Sequence, residues 1–390
     1  MLTLIPRLNF KYSLFDAFIA LKSIIKKELN DEPLKKTFRN ESILYFNHAR
    51  TALRVVLTGI GIPSARIGLM TFNCLTVLKS IKNSGNIPVF IETTNDFQID
   101  LNDLKKKIND IDILILTHMF GIPNHIKEIR IKYPNLLIVE DCSHSFLTEI
   151  DDNYTGTYGD FSIFSFGHAK FPSIADGGFL LINNKKYIDK INLEYRKLVK
   201  PSVMDEIFSV LKSLVLNFLH NPIMYKNFTL PVLKDIDNKR DLSGKYKQKE
   251  SMNLKSSLGL FIFKMGKFNL YLKRQKENGQ EIEFAIKNKI KHFYIPPLNK
   301  LKSNYFMVPI LVDNRKDLLL LFKKNGIEVG MHFSNSINWA IDFDYEIGDC
   351  PNSESIANRI FTLPCHYNLS ANTIKKIVKI LNSVNNENFN

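Results

Sequence analysis

The sequence predicts an α/β protein. Its large domain should be built on a mostly parallel central sheet flanked by helices, with a smaller C-terminal α/β domain behind it. Three observations predict this. Strand-like and helical runs alternate from about residue 40 to 185. The strand-like runs are short and apolar, as buried strands are. The chain of 390 residues is long enough to bury one large core and a smaller one.

Taken in order, residues 49–57 read as a helix, with Gly59 and Gly61 as its C-terminal signals. Runs 66–72, 87–91, 111–117 and 136–141 read as buried strands, and 75–83, 101–108 and 125–132 between them as helices. Runs 161–166 and 178–183 add two strands. Strands alternating with helices imply crossover units, and ligands collect at the carboxyl ends of such strands. Residues 186–275 read as mainly helical. Within them, 203–219 is strongly apolar, with Ile207, Phe208, Leu211, Val215 and Phe218 near helical spacing and Lys212, Asn217 and His220 interrupting. It is too short to span a bilayer. A helix packed on the body or at a subunit interface is one reading, and an interfacial membrane helix is the other. Strands are expected at 306–312 and 329–333, and a last helix at 372–382. The domain expectation is an N-terminal segment 1–40, a large domain 41–275 that includes the apolar region 203–232, and a small domain 276–390.

Apolar content of 45% with 24% charged residues is ordinary for a globular enzyme. Cys74, Cys142, Cys350 and Cys365 lie far apart, which argues against a disulfide framework or a zinc site and suits a reducing cytoplasm. Arg7, Lys11 and Lys22 interrupt the apolar N-terminus, which makes a poor signal peptide. The net charge of +14 suits anionic partners, but the lysines are scattered and no basic-aromatic pattern for nucleic acid stands out.

Two segments carry chemistry. One is Val139-Glu140-Asp141-Cys142-Ser143-His144; the other is Gly159-Asp160-Phe161-Ser162-Ile163-Phe164-Ser165-Phe166-Gly167-His168-Ala169-Lys170, followed by Asp176-Gly177-Gly178. An apolar strand ends in an acid, and 29 residues later a second strand leads to a lysine. Pyridoxal 5'-phosphate chemistry needs this pair: an amine to hold the cofactor aldehyde as a Schiff base, and a buried acid to keep the pyridine nitrogen protonated.

These segments resemble the DegT/DnrJ/EryC1/StrS family of sugar aminotransferases, which have the aspartate-aminotransferase fold (PLP-dependent transferase, type I). Further resemblance lies in His118-Met119-Phe120-Gly121-Ile122-Pro123 and Leu363-Pro364-Cys365-His366. The resemblance implies Lys170 as the Schiff-base lysine and Asp141 as partner of the ring nitrogen. It implies His144 beside the cofactor's phenolic oxygen and Ser165 at its phosphate. His48-Ala49-Arg50-Thr51-Ala52-Leu53 resembles the family's entry to its first helix, so Arg50 and Thr51 would bind phosphate mainly through backbone N–H groups. Asn73 falls where the family sets a flat residue over the ring, with Phe72 one residue early. Lys249 falls where the family has an asparagine reaching the neighbouring subunit's cofactor phosphate.

The expected activity is transfer of an amino group from an amino acid donor, glutamate by preference, to a nucleotide-linked keto-sugar, at a site completed across a homodimer. The rivals are a B6-dependent sugar dehydratase, which has histidine in place of the lysine, and a PLP-binding regulatory or assembly protein without turnover. Lys170 argues against the first.

Overall fold

The computed structural model describes residues 3–231, 250–287 and 293–384. Seven strands form the central sheet: β1 (Ile43–Phe46), β2 (Arg66–Met70), β3 (Ile87–Ile91), β4 (Ile113–Thr117), β5 (Leu137–Asp141), and, after a small hairpin of β6 (Glu149–Ile150) and β7 (Asn153–Tyr154), β8 (Phe161–Ser165) and β9 (Gly178–Ile182). Their order is β1-β9-β8-β5-β4-β2-β3. The pairs among β3, β2, β4, β5 and β8 are parallel; β9 runs antiparallel to β8 and to β1. Alternate residues of one strand enter two different cores. Ile115, Val139, Ile163 and Leu180 pack on one face, and Leu114, Leu116, Ile138 and Phe164 on the other. A strand buried on both sides must be apolar throughout, which is why these runs read as unbroken hydrophobic stretches.

Helices link the strands. On the first core lie α3 (Ala49–Ile60), α4 (Leu75–Asn83) and α7 (Ile188–Arg196); α5 (Leu101–Lys107) and α6 (Ile126–Lys132) place buried residues in the second core. Before the sheet come α1 (Leu14–Ile24) and α2 (Glu32–Phe38), and after it α8 (Val203–Leu219). A single helix of 33 residues, α9 (Lys255–Lys287), runs about 50 Å by its rise per residue. Gly259 lets α1 lie close against it, since a Cβ there would meet the Ser23 Oγ at 2.1 Å. The C-terminal layer pairs β10 (Val308–Leu311) antiparallel with β11 (Ile360–Leu363). This part of the chain also holds α10 (Arg315–Lys324), α11 (Ser336–Ile341), α12 (Pro351–Arg359) and α13 (Ala371–Asn382), with Ala340 of α11 packed into the first core.

Three features depart from the pattern expected of the sequence. Residues 329–333 are not a strand: Gly330 makes one isolated bridge to Thr362, and Phe333 takes a left-handed φ of 61° that ends extension. The partner of β10 is instead β11, a four-residue run too short to announce itself. The N-terminal segment is woven into the body, with Ile5 bridged in parallel to Ile327 and the Arg7 N–H donating to Glu328 Oε2 at 2.9 Å.

Candidate active site

The carboxyl ends of β4, β5 and β8 are adjacent. Thr117 is in register with Asp141, and Asp141 with Ile163, two residues before Ser165. After Ser165 the chain makes a closed loop. The Phe166 N–H donates to Gly177 O and the Ile174 N–H to Phe166 O, both at 3.0 Å. Inside it Ala169 takes a left-handed φ of 67°, and the Lys170 N–H donates back to Gly167 O at 3.2 Å. Non-glycine residues adopt that conformation at a cost, and the turn sets the direction of the next side chain. Gly177 has φ 146°, and a Cβ there would lie 2.1 Å from the Phe166 ring, so the Asp-Gly-Gly sequence is a steric requirement. Asp176 faces His168 Nδ1 at 3.4 Å and Lys212 Nζ at 3.1 Å. Burial pushes its pKa up, but those two partners outweigh burial and hold it well below the usual carboxylate range.

Lys170 is half-buried, with Nζ 5.8 Å from the centre of the Phe306 ring. Desolvation lowers its pKa; Cys74 and Asp141 partly oppose that. Asp141, at the end of β5, is buried and accepts the Ser143 N–H at 3.0 Å. His144 sits in an aromatic stack, with ring centroids 4.4 Å from Phe306 and 5.9 Å from Phe333. Burial, then the neighbouring Lys170 and His332 side chains, push its pKa well below the ordinary histidine value. The neutral ring accepts the Phe120 N–H at Nδ1, 3.3 Å away, so its proton resides on Nε2. Lys170, Asp141 and His144 are thus brought into one electrostatic neighbourhood by the loop after β8 and the turn after β5.

Glu140, next to the candidate acid, has a different task. Its carboxylate accepts the Gly156 N–H (2.9 Å), the Tyr158 N–H (2.9 Å), the Gly159 N–H (2.6 Å) and His118 Nε2–H (2.9 Å). His118 Nδ1 accepts the Asn124 N–H at 3.0 Å, which places the ring proton on Nε2. Burial raises the Glu140 pKa, but His118 and the backbone donors outweigh it and hold it low. His118, Glu140 and Cys142 lie close enough to hold a metal ion. The lone pairs of His118 and Glu140 are committed to these hydrogen bonds, so that pair serves as a strut between β4, β5 and the 156–159 turn.

Ser165 pairs with Gly178, and a Cβ on Gly178 would stand 3.0 Å from the Ala49 nitrogen. The end of β8 and the start of β9 therefore abut the N-terminus of α3, which carries Arg50 and Thr51. The Thr51 N–H already donates to His48 O at 3.1 Å, and its hydroxyl to Asn47 Oδ1 at 2.9 Å. Asn73 is buried and pinned: Nδ2 donates to Thr117 Oγ1 at 3.1 Å, and Oδ1 accepts the Cys74 N–H at 2.8 Å. Lys249 lies outside the described residues.

Residues that the sequence reading did not single out also reach this region. Arg7 lines a small cavity with Lys170, Phe306 and His366. His332, kept neutral by burial and the nearby charges of Arg7 and Lys170, bonds Thr362 Oγ1 at 2.9 Å. Arg7 and His332 come from the N-terminal arm and the C-terminal layer, and no local pattern marks them as site residues, whereas His366 ends the Leu363-Pro364-Cys365-His366 run. Cys74 did carry a signal, since it directly follows Asn73.

The residues fit a pyridoxal cofactor: an amine whose charge is disfavoured, an acid one strand away, and a helix N-terminus beside a serine. A sheet of this order with a lysine loop after β8 and an acid ending β5 defines the fold of the pyridoxal-phosphate transferases. Within that class, the chain belongs to the DegT/DnrJ/EryC1/StrS aminotransferase family, whose model matches residues 31–382. It is 29% identical over 149 residues to GDP-perosamine synthase of Escherichia coli O157:H7, covering 37% of this chain and 41% of that one. The match thus spans under half the length of that relative. The UDP-4-amino-4,6-dideoxy-N-acetyl-beta-L-altrosamine transaminase of Helicobacter pylori is 22% identical over 361 residues, 90% of this chain and 87% of that one. The fold is shared with Spr1654 from Streptococcus pneumoniae, solved in its PLP form: TM-score 0.73, 16% identity, 97% of this chain and 98% of that chain covered.

Proposed function

We propose that the protein is a PLP-dependent aminotransferase that moves an amino group from an amino acid, glutamate by preference, to a nucleotide-linked keto-sugar in amino-sugar biosynthesis. One observation carries this reading. Lys170, its charge disfavoured by burial, shares a neighbourhood with Asp141 at the end of the adjacent parallel strand. The family membership supports it, and so does the similarity to transaminases that act on nucleotide-linked sugars.

Bound pyridoxal phosphate would supply an aldehyde and an electron-accepting ring. The protein's part follows from its own groups. A neutral Lys170 would attack the aldehyde carbon and, once displaced by the donor's amine, would take the proton from the donor's Cα and deliver it to the former aldehyde carbon. The Asp141 carboxylate holds a positive charge on a ring nitrogen. His144 offers its Nε2–H to an anionic oxygen. Ser165 and the first turn of α3 hold a phosphate. We further propose a cytoplasmic homodimer, with Lys249 reaching the neighbouring subunit's phosphate, and a boundary between large and small domains near residue 275.

The test is to incubate the purified protein with glutamate and a panel of nucleotide keto-sugars, and to read product masses. An amino sugar formed together with 2-oxoglutarate is the expected result. Yellow protein that never releases 2-oxoglutarate would replace this reading with cofactor binding without turnover.

A further inference from the structure

Two neighbouring helices are inside out. On α8 the residues turned toward the body are Glu206, Ser209, Val210 and Ser213, whereas Met204, Phe208, Leu211, Val215 and Phe218 are each more than half exposed. The pattern repeats on α1: Asp16, Ala17, Ala20 and Ser23 are buried, and Leu14, Phe15, Phe18 and Ile25 stand in the open. A surface helix of a globular protein normally does the reverse.

The two inward carboxylates are each tied to α9, which holds the helices in this orientation. Glu206 accepts the backbone N–H groups of Lys255 (2.7 Å) and Ser256 (2.9 Å) at the start of α9. Asp16 pairs with Lys264 at 2.9 Å. The helices lie side by side. The Tyr12 N–H, just before α1, donates to Asn217 Oδ1 near the end of α8 at 2.9 Å. Phe15 meets Phe263 of α9 at 5.9 Å, which extends the face across a third helix. The result is a continuous exposed apolar surface of a kind that marks an interaction site.

Charge decides the occupant. Exposed lysines edge this face: Lys22, Lys26, Lys27 and Lys255 near one end, Lys11 near the other, and Lys212 on α8 itself. Against them stand Glu28 and the cap residue Asp205. A second copy docked symmetrically through this face would set one basic edge against another. An anionic bilayer complements both the apolar centre and the basic edge. Among the described residues no single helix is long and apolar enough to cross a membrane. Instead α8 continues, after a bend of 78°, into Pro222–Thr229, where Ile223 and Phe228 are also exposed.

We propose that the α1–α8 face docks onto an anionic lipid surface, with both helices lying in the headgroup plane. The face abuts the lysine loop. Lys212 pairs with Asp176, and His220 packs on Phe10, whose ring stacks on His168 at 4.5 Å. The docking does not depend on the transfer activity.

The experiment is co-sedimentation of the full-length, cofactor-loaded protein with vesicles of phosphatidylglycerol mixed with phosphatidylcholine, and with phosphatidylcholine alone. Binding to the anionic vesicles is expected. It should weaken by about tenfold or more in Phe208→Glu/Leu211→Glu and in Lys26→Glu/Lys27→Glu, and the second pair should also lose its salt dependence. Circular dichroism should show both variants folded, because the changed side chains are exposed. Wild-type protein left in the supernatant would overturn the proposal, as would folded Phe208→Glu/Leu211→Glu that sediments like wild type. Conversion of a dimer to a monomer by that pair, without vesicle binding by the wild type, would also overturn it and assign the face to a second copy.

Discussion

At Lys170 burial and chemistry point the same way. Burial depresses its pKa, so at neutral pH the folded state carries a penalty that the unfolded chain escapes. Lys170→Ala should therefore be no less stable than wild type at pH 7 by denaturant titration, while transamination is abolished. Borohydride reduction of the wild type should fix the cofactor to the peptide containing Lys170; label on another lysine would reassign the site. Asp141→Asn separates charge from shape. The amide oxygen can still accept the Ser143 N–H, so folding should change by no more than about 1 kcal/mol. Turnover should fall by about a hundredfold or more because the ring charge is lost. Near-normal turnover would reduce Asp141 to a turn-capping residue.

At the scale of elements, the site depends on how strand ends are tied. Glu140 gathers three backbone N–H groups and His118 into one buried junction between β5 and the 156–159 turn. Glu140→Ala would leave those donors unpaired, with an expected loss of about 3–5 kcal/mol in chemical unfolding. Unfolding free energy within error of wild type would show that the junction is dispensable. Gly177→Ala should force the Phe166 ring aside and loosen the lysine loop. Weaker cofactor retention in gel filtration, with the far-UV spectrum preserved, is the expected reading. The inside-out α8 belongs to this scale too: its capping box at Ser202 and Asp205 makes it a well-formed helix whichever face it shows to solvent.

At the scale of the molecule, stability should depend on pH with a defined sign. His48 and His366 are pushed down to about 4, chiefly by burial, and His144 and His332 well below the ordinary value. Below about pH 6.5 the unfolded chain takes up protons that the folded chain refuses, so stability should fall as pH drops from there toward 4. Glu140 adds to this at the acid end, because its lowered pKa gives stability that is lost as it protonates. Urea midpoints that rise between pH 6.5 and 4.5 would contradict the assignment. Assembly offers a second check. If Lys249 serves the neighbouring subunit, mixing inactive Lys249→Ala with Lys170→Ala protein should restore part of the activity, because a mixed dimer keeps one site with both lysines. No recovery after confirmed subunit exchange would leave Lys249 as a surface charge.

What the sequence determined by itself is local and periodic. The buried strands announce themselves because alternate residues feed two cores, which makes each run apolar throughout. Asp141, Lys170 and the Asp-Gly-Gly turn are legible because strand ends and tight loops impose residue types at fixed spacing. The tertiary structure alone decided the rest. The short pairing of Ile360–Leu363 with Val308–Leu311 has no pattern of its own. Arg7, Phe306 and His332 reach the lysine only because the arm and the C-terminal layer close over it. The pinning of Asn73 depends on Thr117, 44 residues away. The outward turn of α8 was also beyond the sequence. A helix with one apolar and one polar face is compatible with either side facing the body, and the partners of Glu206 and Asp16 settle which one does.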